Sequence, residues 1–173
     1  MKLELRQVKI SKEFSEETIM FSANIFANGK IIGYANNDGR GGCTFYNAFP
    51  DKRHLLAEAE EYAKTLPSTT IEMGGTIHEI KSNLENWIDG EITKIFNEKE
   101  TGVFNKKLKK NCETKICWGV KNVSYKMIGF TGNHKIADLL KTPSGKFSVE
   151  NLVNKIKGEL KEGEEILNEN LNL

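Results

Sequence analysis

Asn28-Gly29 lies between two apolar runs, and no other pair of residues constrains the fold of this chain as much. Before it, Ile19, Phe21, Ala23 and Ile25 take alternate positions, with Ser22 and Asn24 on the other side. After it, Lys30-Ile31-Ile32-Gly33-Tyr34 resumes the apolar pattern. Alternation at period two puts one set of side chains on one face of a strand. A two-residue type I′ turn needs positive φ at both central positions, which asparagine followed by glycine supplies, so the pair predicts an antiparallel hairpin. Leu3, Leu5, Val8 and Ile10 add a preceding strand, with a phase shift near Gln7 that a bulge absorbs. Cys43, Phe45 and Phe49 alternate with Thr44, Tyr46 and Ala48 as a following strand. The expectation is a small antiparallel meander.

The period then changes. Pro50-Asp51 opens a helical pattern with Asp51 as the expected N-cap, and Leu55, Leu56, Ala59, Tyr62, Ala63 and Leu66 recur at helical spacing before Pro67. That stripe is wide enough to cover one face of a sheet. A longer helix is expected after Gly74-Gly75, carrying Ile77, Ile80, Leu84, Trp87, Ile88, Ile92, Ile95 and Phe96, with a break at Thr101-Gly102. Residues 114–130 are β-branched and aromatic around a Lys121-Asn122 turn and predict a second hairpin. A short helix is expected over 134–140 and a turn at Thr142-Pro143-Ser144-Gly145. A terminal helix capped by Ser148 then carries Val149, Leu152, Val153, Ile156, Leu160, Ile166 and Leu167. The fold class is therefore α+β: a small antiparallel β-meander covered by a helix, then a mostly helical C-terminal half with a hairpin near 114–130. We read 1–173 as a single domain with sub-parts 1–67 and 68–173.

Charge excludes a generally basic protein: 25 Lys and Arg face 24 Asp and Glu, a formal net of +1. The distribution is uneven. Nine lysines between 94 and 126 face only Glu98, Glu100 and Glu113, and within that run Lys106, Lys107, Lys109 and Lys110 are a candidate basic patch. Lysines near a helix C-terminus also serve the helix dipole, which is the plainer reading. MKLELRQVKI lacks the apolar core of a secretory signal, no apolar run is long enough to span a membrane, and three cysteines are too few for a disulfide scaffold. These features lead us to expect a protein of the cytoplasm.

The stretch Asn36-Asn37-Asp38-Gly39-Arg40-Gly41-Gly42 interrupts the meander. Successive glycines let backbone N–H groups converge on an anion, and Arg40 adds a planar, bidentate grip on phosphate. Tyr34 and Tyr46 bracket the stretch and offer rings on which a base stacks. The candidate ligand site is thus Tyr34, Asn37, Asp38, Gly39, Arg40, Gly41, Gly42 and Tyr46. The competing reading is a plain strand connection, since glycine, asparagine and aspartate are ordinary loop residues and no known phosphate fingerprint is matched. No catalytic constellation emerges: Cys43 has no sequence-defined histidine partner, and Glu58, Glu60 and Glu61 read as a solvated helix face. Cys112-x4-Cys117 lacks the second ligand pair that structural zinc requires, so neither a metal nor another cofactor is expected.

NGKIIGYANNDGRGGCTFYNA, ICWGV and IKGELKEGEEILNENL together resemble small uncharacterised proteins encoded by bacteriophages and related mobile elements. That resemblance implies an accessory protein made inside a bacterial host cell to counter a host factor or defence signal, and it carries no functional residues with it. The order strand, Asn-Gly turn, strand, loop, strand and then DKRHLLAEAEEYAKTL is also similar to the β-β-β-α half of a double-stranded-RNA-binding domain, with Lys52, Arg53 and His54 at its phosphate-contacting helix start. Here the next position is apolar, Leu55-Leu56, where that pattern is basic. The function expected is a non-catalytic protein binding an anionic ligand, a nucleotide signal or nucleic acid. The alternative is a protein-binding inhibitor of a host factor, acting through an exposed sheet edge or the amphipathic C-terminal helix.

Overall fold

The computed structural model describes residues 1–171 and shows an α+β chain of two compact units, Met1–Asn97 and a second from Glu98 onward. In the first unit, β1 (Leu3–Ile10), β2 (Phe21–Ala27), β3 (Lys30–Asn37) and β4 (Phe45–Ala48) form an antiparallel sheet in sequential order. Asn28 and Gly29 take φ of 48° and 78° and join Ala27 to Lys30, the tight turn expected from that dipeptide. The phase shift in β1 is a bulge: Gln7 has φ 55°, and the register slips between Arg6 and Lys9.

Helix α1 (Arg53–Lys64) buries Leu56, Ala59 and Ala63. These side chains, with Leu84, Ile88 and Ile92 of α2 (Leu84–Cys112), share one core with Phe21, Ala23, Ile25, Ile32 and Ala35 of the sheet. Only one sheet face enters that core. Gly33 decides how closely β4 approaches, because a Cβ there would lie 2.2 Å from the Asn47 carbonyl oxygen and 3.2 Å from the Ala48 Cα.

Several boundaries differ from the sequence expectation. Gly74-Gly75 does not lead into a helix. Both glycines have positive φ, 60° and 78°, and they form the turn between β5 (Thr69–Met73) and β6 (Thr76–Ile80). Ile77 and Ile80 fit a helical spacing with Leu84, but the β-branched residues around the glycines prefer a strand, and Ile77 is 73% exposed. Thr101-Gly102 leaves α2 unbroken. Asp51 does not cap α1, whose N-cap is Lys52; the Asp51 carboxylate instead pairs with the Lys52 ammonium at 2.9 Å. The strand after the loop is limited to Phe45–Ala48, without Cys43 or Phe49.

The second unit holds β7 (Lys115–Val120) and β8 (Ser124–Gly129), the hairpin expected over 114–130, with Asn122 at φ 63° in its turn. The short helix α3 covers only Ile136–Leu139. Helix α4 runs Pro143–Glu159, starting earlier than expected: Thr142 accepts a hydrogen bond from the Gly145 N–H, and Pro143 fits the first turn because no donor is needed there. Ser148 lies within the helix. Ile166 leaves the helical stripe for a two-residue strand, β9 (Glu165–Ile166), on the other side of β7 from β8. Val149, Val153 and Ile156 of α4 pack with Ile116 and Ile136 into this unit's own core. No helix among the described residues is long and apolar enough to cross a membrane.

Gly33→Ala should lower the stability of the first unit by about 2 kcal/mol or more, since β4 backbone must move to admit the methyl group. Gly42→Ala is the control: nothing lies within 4 Å of a Cβ at that position, and its change should stay within about 0.5 kcal/mol. Urea midpoints of the two variants check the contrast.

Candidate functional site

The glycine stretch folds around Asn37, the last residue of β3, which is buried although polar. Its Oδ1 accepts from the Thr18 hydroxyl at 2.7 Å and from the Gly39 N–H at 2.8 Å. Its Nδ2 donates to the Gly42 carbonyl at 2.8 Å and to the Thr44 hydroxyl at 3.4 Å. One carboxamide thereby ties both ends of the loop to each other and to the segment before β2.

Three of the backbone N–H groups that were expected to receive an anion are occupied from within. Gly39 donates to Asn37, Arg40 donates to the Asp38 carboxylate at 3.2 Å, and Gly41 donates to the Thr18 hydroxyl at 3.3 Å. The loop also points a carbonyl at the segment before β2. Gly39 O accepts from the N–H groups of Glu16, Glu17 and Thr18 at 2.9, 3.0 and 3.3 Å. The φ values of 84° at Gly39 and 86° at Gly41 shape this interlock, and a Cβ on Gly39 would strike the Phe14 carbonyl oxygen. Arg40 is exposed, beside Asp38 and Glu16 at a shallow cleft with Phe14 and Met20.

The two tyrosines separate. Tyr46 packs against the core, where its hydroxyl donates to the Glu60 carboxylate of α1 at 3.1 Å; burial first, then that carboxylate, raises its proton affinity. Tyr34 faces the other way, 38% exposed on the uncovered side of the sheet. There its ring lies 6.3 Å from Phe45 and 6.1 Å from Phe49, tilted by 48° and 47°. Phe45 is 55% exposed. Pairing puts Asn24 and Asn47 opposite Tyr34, Asn36 opposite Phe45, Arg6 opposite Asn24 and Lys9 opposite Ser22. The Arg6 guanidinium lies 4.4 Å from the Phe26 ring centre and also holds the Glu4 carboxylate, whose second cation is Lys2. A shallow groove of about 370 Å³ runs between Gln7, Lys9, Asn24, Tyr34 and Asn36. Sequence reasoning singled out Tyr34 but missed Phe45 and Phe49 as its neighbours. The signal was present: in β4 and just beyond it, every second residue from Phe45 shares a face, and the Tyr34–Asn47 register makes that face Tyr34's own.

Beneath the loop is a cleft of about 480 Å³ with Glu17, Thr18, Asp89 and Thr93 around an apolar floor of Phe21, Ile92 and Phe96. The Thr44 hydroxyl donates to the Asp89 carboxylate at 2.5 Å, and the Thr44 N–H donates to Glu85 at 3.0 Å. Burial, and then the Glu85 charge, pushes the Asp89 carboxyl above the usual aspartate range, against the opposing pull of the Thr44 hydroxyl. This cleft is rimmed by carboxylates and is no place for phosphate. In the second unit Lys106, Lys107, Lys109 and Lys110 are exposed along α2, and Lys109 shares a cleft with Lys121, Glu113 and Glu169. Among the described residues no three His, Cys, Asp or Glu side chains converge as metal ligands.

No protein-family model, curated protein or solved structure matches this chain. The functional reading therefore rests on geometry.

Two outcomes test the loop. Asn37→Ala should cost about 2–4 kcal/mol, because it strands the partners of several hydrogen bonds at a buried position; Arg40→Ala should stay within about 0.5 kcal/mol by the same chemical denaturation. For Asp89, a raised folded-state value means the native state holds the proton more tightly than the unfolded chain. Its contribution to stability therefore falls as pH rises from about 4, the ordinary aspartate value, through the higher folded value. Asp89→Asn should remove that part of the slope, read as the difference between the two stability profiles against pH.

Proposed function

We propose that the first unit is a non-catalytic binding module for single-stranded nucleic acid or a nucleotide, held on the uncovered face of the four-stranded sheet. One observation carries this reading: Tyr34, Phe45 and Phe49 cluster on adjacent strands of a solvent-facing sheet surface, with Arg6 and Lys9 on the same face. Aromatic rings presented to solvent stack on bases of any sequence, and neighbouring cations track the phosphates. The tilt between the rings supports the assignment, because they splay apart and each keeps a face open to a ligand. Asn24, Asn36 and Asn47 around Tyr34 supply donors and acceptors for base edges. Lys2, Arg6 and Lys9 outnumber the one carboxylate among them, Glu4.

This keeps the anionic ligand expected from sequence but moves it from the glycine loop to the sheet. The resemblance to phage-encoded proteins gives the proposal its setting, an accessory protein that sequesters a host nucleotide signal or nucleic acid in a bacterial cell. The alternative of a protein partner is favoured by a separate observation in the second unit. The β7–β8 hairpin exposes Val123, Met127 and Ile128, and β8 is the outer strand of its sheet. The C-terminal helix offers less to such a partner, since its apolar face is already buried in α4's own core contacts.

Fluorescence polarisation with labelled single-stranded oligonucleotides at fixed low salt tests the proposal. Tyr34→Ala and Phe45→Ala should each weaken binding about fivefold to a hundredfold, the loss of roughly 1–3 kcal/mol of stacking, while the thermal midpoint changes little at these exposed positions. Lys9→Ala should lower the dependence of log K on log salt by about 0.7. Affinity that ignores both aromatic substitutions would overturn the sheet-face reading.

A further inference from the structure

In the second unit β8 is an outer strand, with no strand paired to it on the side away from β7. The far side of β7 reveals which of its backbone groups face outward. The Cys117 N–H donates to Asn168 Oδ1 at 2.6 Å, and the Cys117 carbonyl accepts from the Leu167 N–H at 2.9 Å. The Lys115 carbonyl likewise accepts from the Asn168 amide at 2.9 Å. Both residues thus turn to the C-terminal segment, away from β8. Across an antiparallel ladder, residues of that kind lie opposite partners whose N–H and C=O also point away from the pair. Those partners are Met127 and Gly129, and period two adds Tyr125, opposite Gly119.

This edge lacks the usual guards. β8 holds no proline, and its register with β7 runs without a bulge from Lys115–Gly129 to Val120–Ser124. Edge strands are commonly blunted by such features or by charge, as β1 is by Glu4, Arg6, Lys9 and the bulge at Gln7. The one charged residue of β8, Lys126, already pairs with the Glu164 carboxylate at 2.9 Å. Met127 and Ile128 are 47% and 43% exposed, on opposite faces of the strand.

We propose that β8 pairs antiparallel with β8 of a second copy of this chain, about a two-fold axis at Met127. Each Met127 then faces the other, and Tyr125 faces Gly129 of the second copy, so outward backbone groups meet outward groups at all three positions. Facing pairs of this kind exchange two hydrogen bonds each. The side chains fit the same register. Tyr125 is held by the Phe104 ring, 5.3 Å between centres, and by the Asn111 amide at 2.8 Å, and it meets a glycine with no side chain to displace it. Lys126 faces Ile128 of the second copy. An axis between two residues would set outward groups against inward ones, and an axis at Lys126 would set like charges opposite each other. The strand is therefore complementary to itself in the register that its backbone and its one charge leave open, which favours a second copy over an unrelated strand. A single strand pair is a small interface, so the dimer is expected to be weak and concentration-dependent.

Sedimentation velocity of the full chain, from low micromolar to submillimolar concentration, tests this. Expected is a reversible rise toward twice the chain mass of 19.5 kDa. Met127→Pro removes an outward N–H while leaving the β7 ladder its donors, so it should weaken the dimer about tenfold or more with little change in thermal midpoint. Met127→Lys and Met127→Glu should each be monomeric alone, since a charge then faces its own copy, and their equimolar mixture should dimerise again. That exchange decides the matter even where the proline variant fails to fold. A wild-type chain that stays monomeric across the range would overturn the proposal and leave the edge to a strand of another protein. A dimer indifferent to these substitutions, or charge variants whose mixture stays monomeric, would overturn it as well.

Discussion

One face of the four-stranded sheet is buried and the other is not, and most of what the first unit does follows from that asymmetry. Ile25 and Ile32 are wholly enclosed against Ala59 of α1 and Ile88 of α2, within a core that also takes in Phe21, Ala23 and Ala35. Each large aliphatic side chain removed from water contributes about 1.5–3 kcal/mol, so this layer outweighs any single polar contact in the unit. Because side chains alternate along a strand, fixing the inward set also fixes the outward set. A slip of one residue over residues 34–37 of β3 would bury Tyr34 and Asn36 and expose Ala35 and Asn37. The aromatic cluster on the uncovered face is thus held in place by the core on the covered one.

Polar groups finish what burial starts. At the end of β3 the chain must leave the sheet and return as β4, and Asn37 satisfies the backbone at that crossing from both sides. The consequence for chemistry is direct. Amides already bonded to Asn37, Asp38 and Thr18 have nothing to offer a phosphate, and three amides from the facing segment spend themselves on the Gly39 carbonyl. The glycines are required by positive φ and close backbone approach. A stretch with the composition of an anion cradle serves here as a structural lock between β3, β4 and the segment before β2.

The second unit combines the same elements differently. Its core is built by α4 and β7, and its C-terminal segment returns to close β7 and to hold the corner between the end of α2 and β7. Asn168 does at this corner what Asn37 does in the first unit. Its amide donates to the Cys112 and Lys115 carbonyls, at 3.4 and 2.9 Å, and its oxygen accepts from the Cys117 N–H.

Local signals determined much of this. Asn28-Gly29 specified its hairpin because few other dipeptides take two successive positive φ values cheaply, and the Gln7 bulge showed as a break in the β1 alternation. The apolar stripe of α1 and the hairpin at 114–130 were equally legible, since each depends on spacing within a few residues. Where two periods competed for the same residues, local reading failed. Ile77, Ile80 and Leu84 fit a helix, yet Gly74-Gly75 made a turn of strands, and Ile166 fit the α4 stripe but pairs with Trp118 instead. Tyr34 and Tyr46 looked equivalent beside the loop, and register alone sent one to solvent and the other to Glu60. The contacts of Asn37 with Thr18 and Gly42, of Thr44 with Asp89, and of Asn168 with Cys117 were beyond the sequence for the same reason. Turn and helix preferences are energies of neighbouring residues, whereas which side chains meet is decided by how strands pair and faces pack.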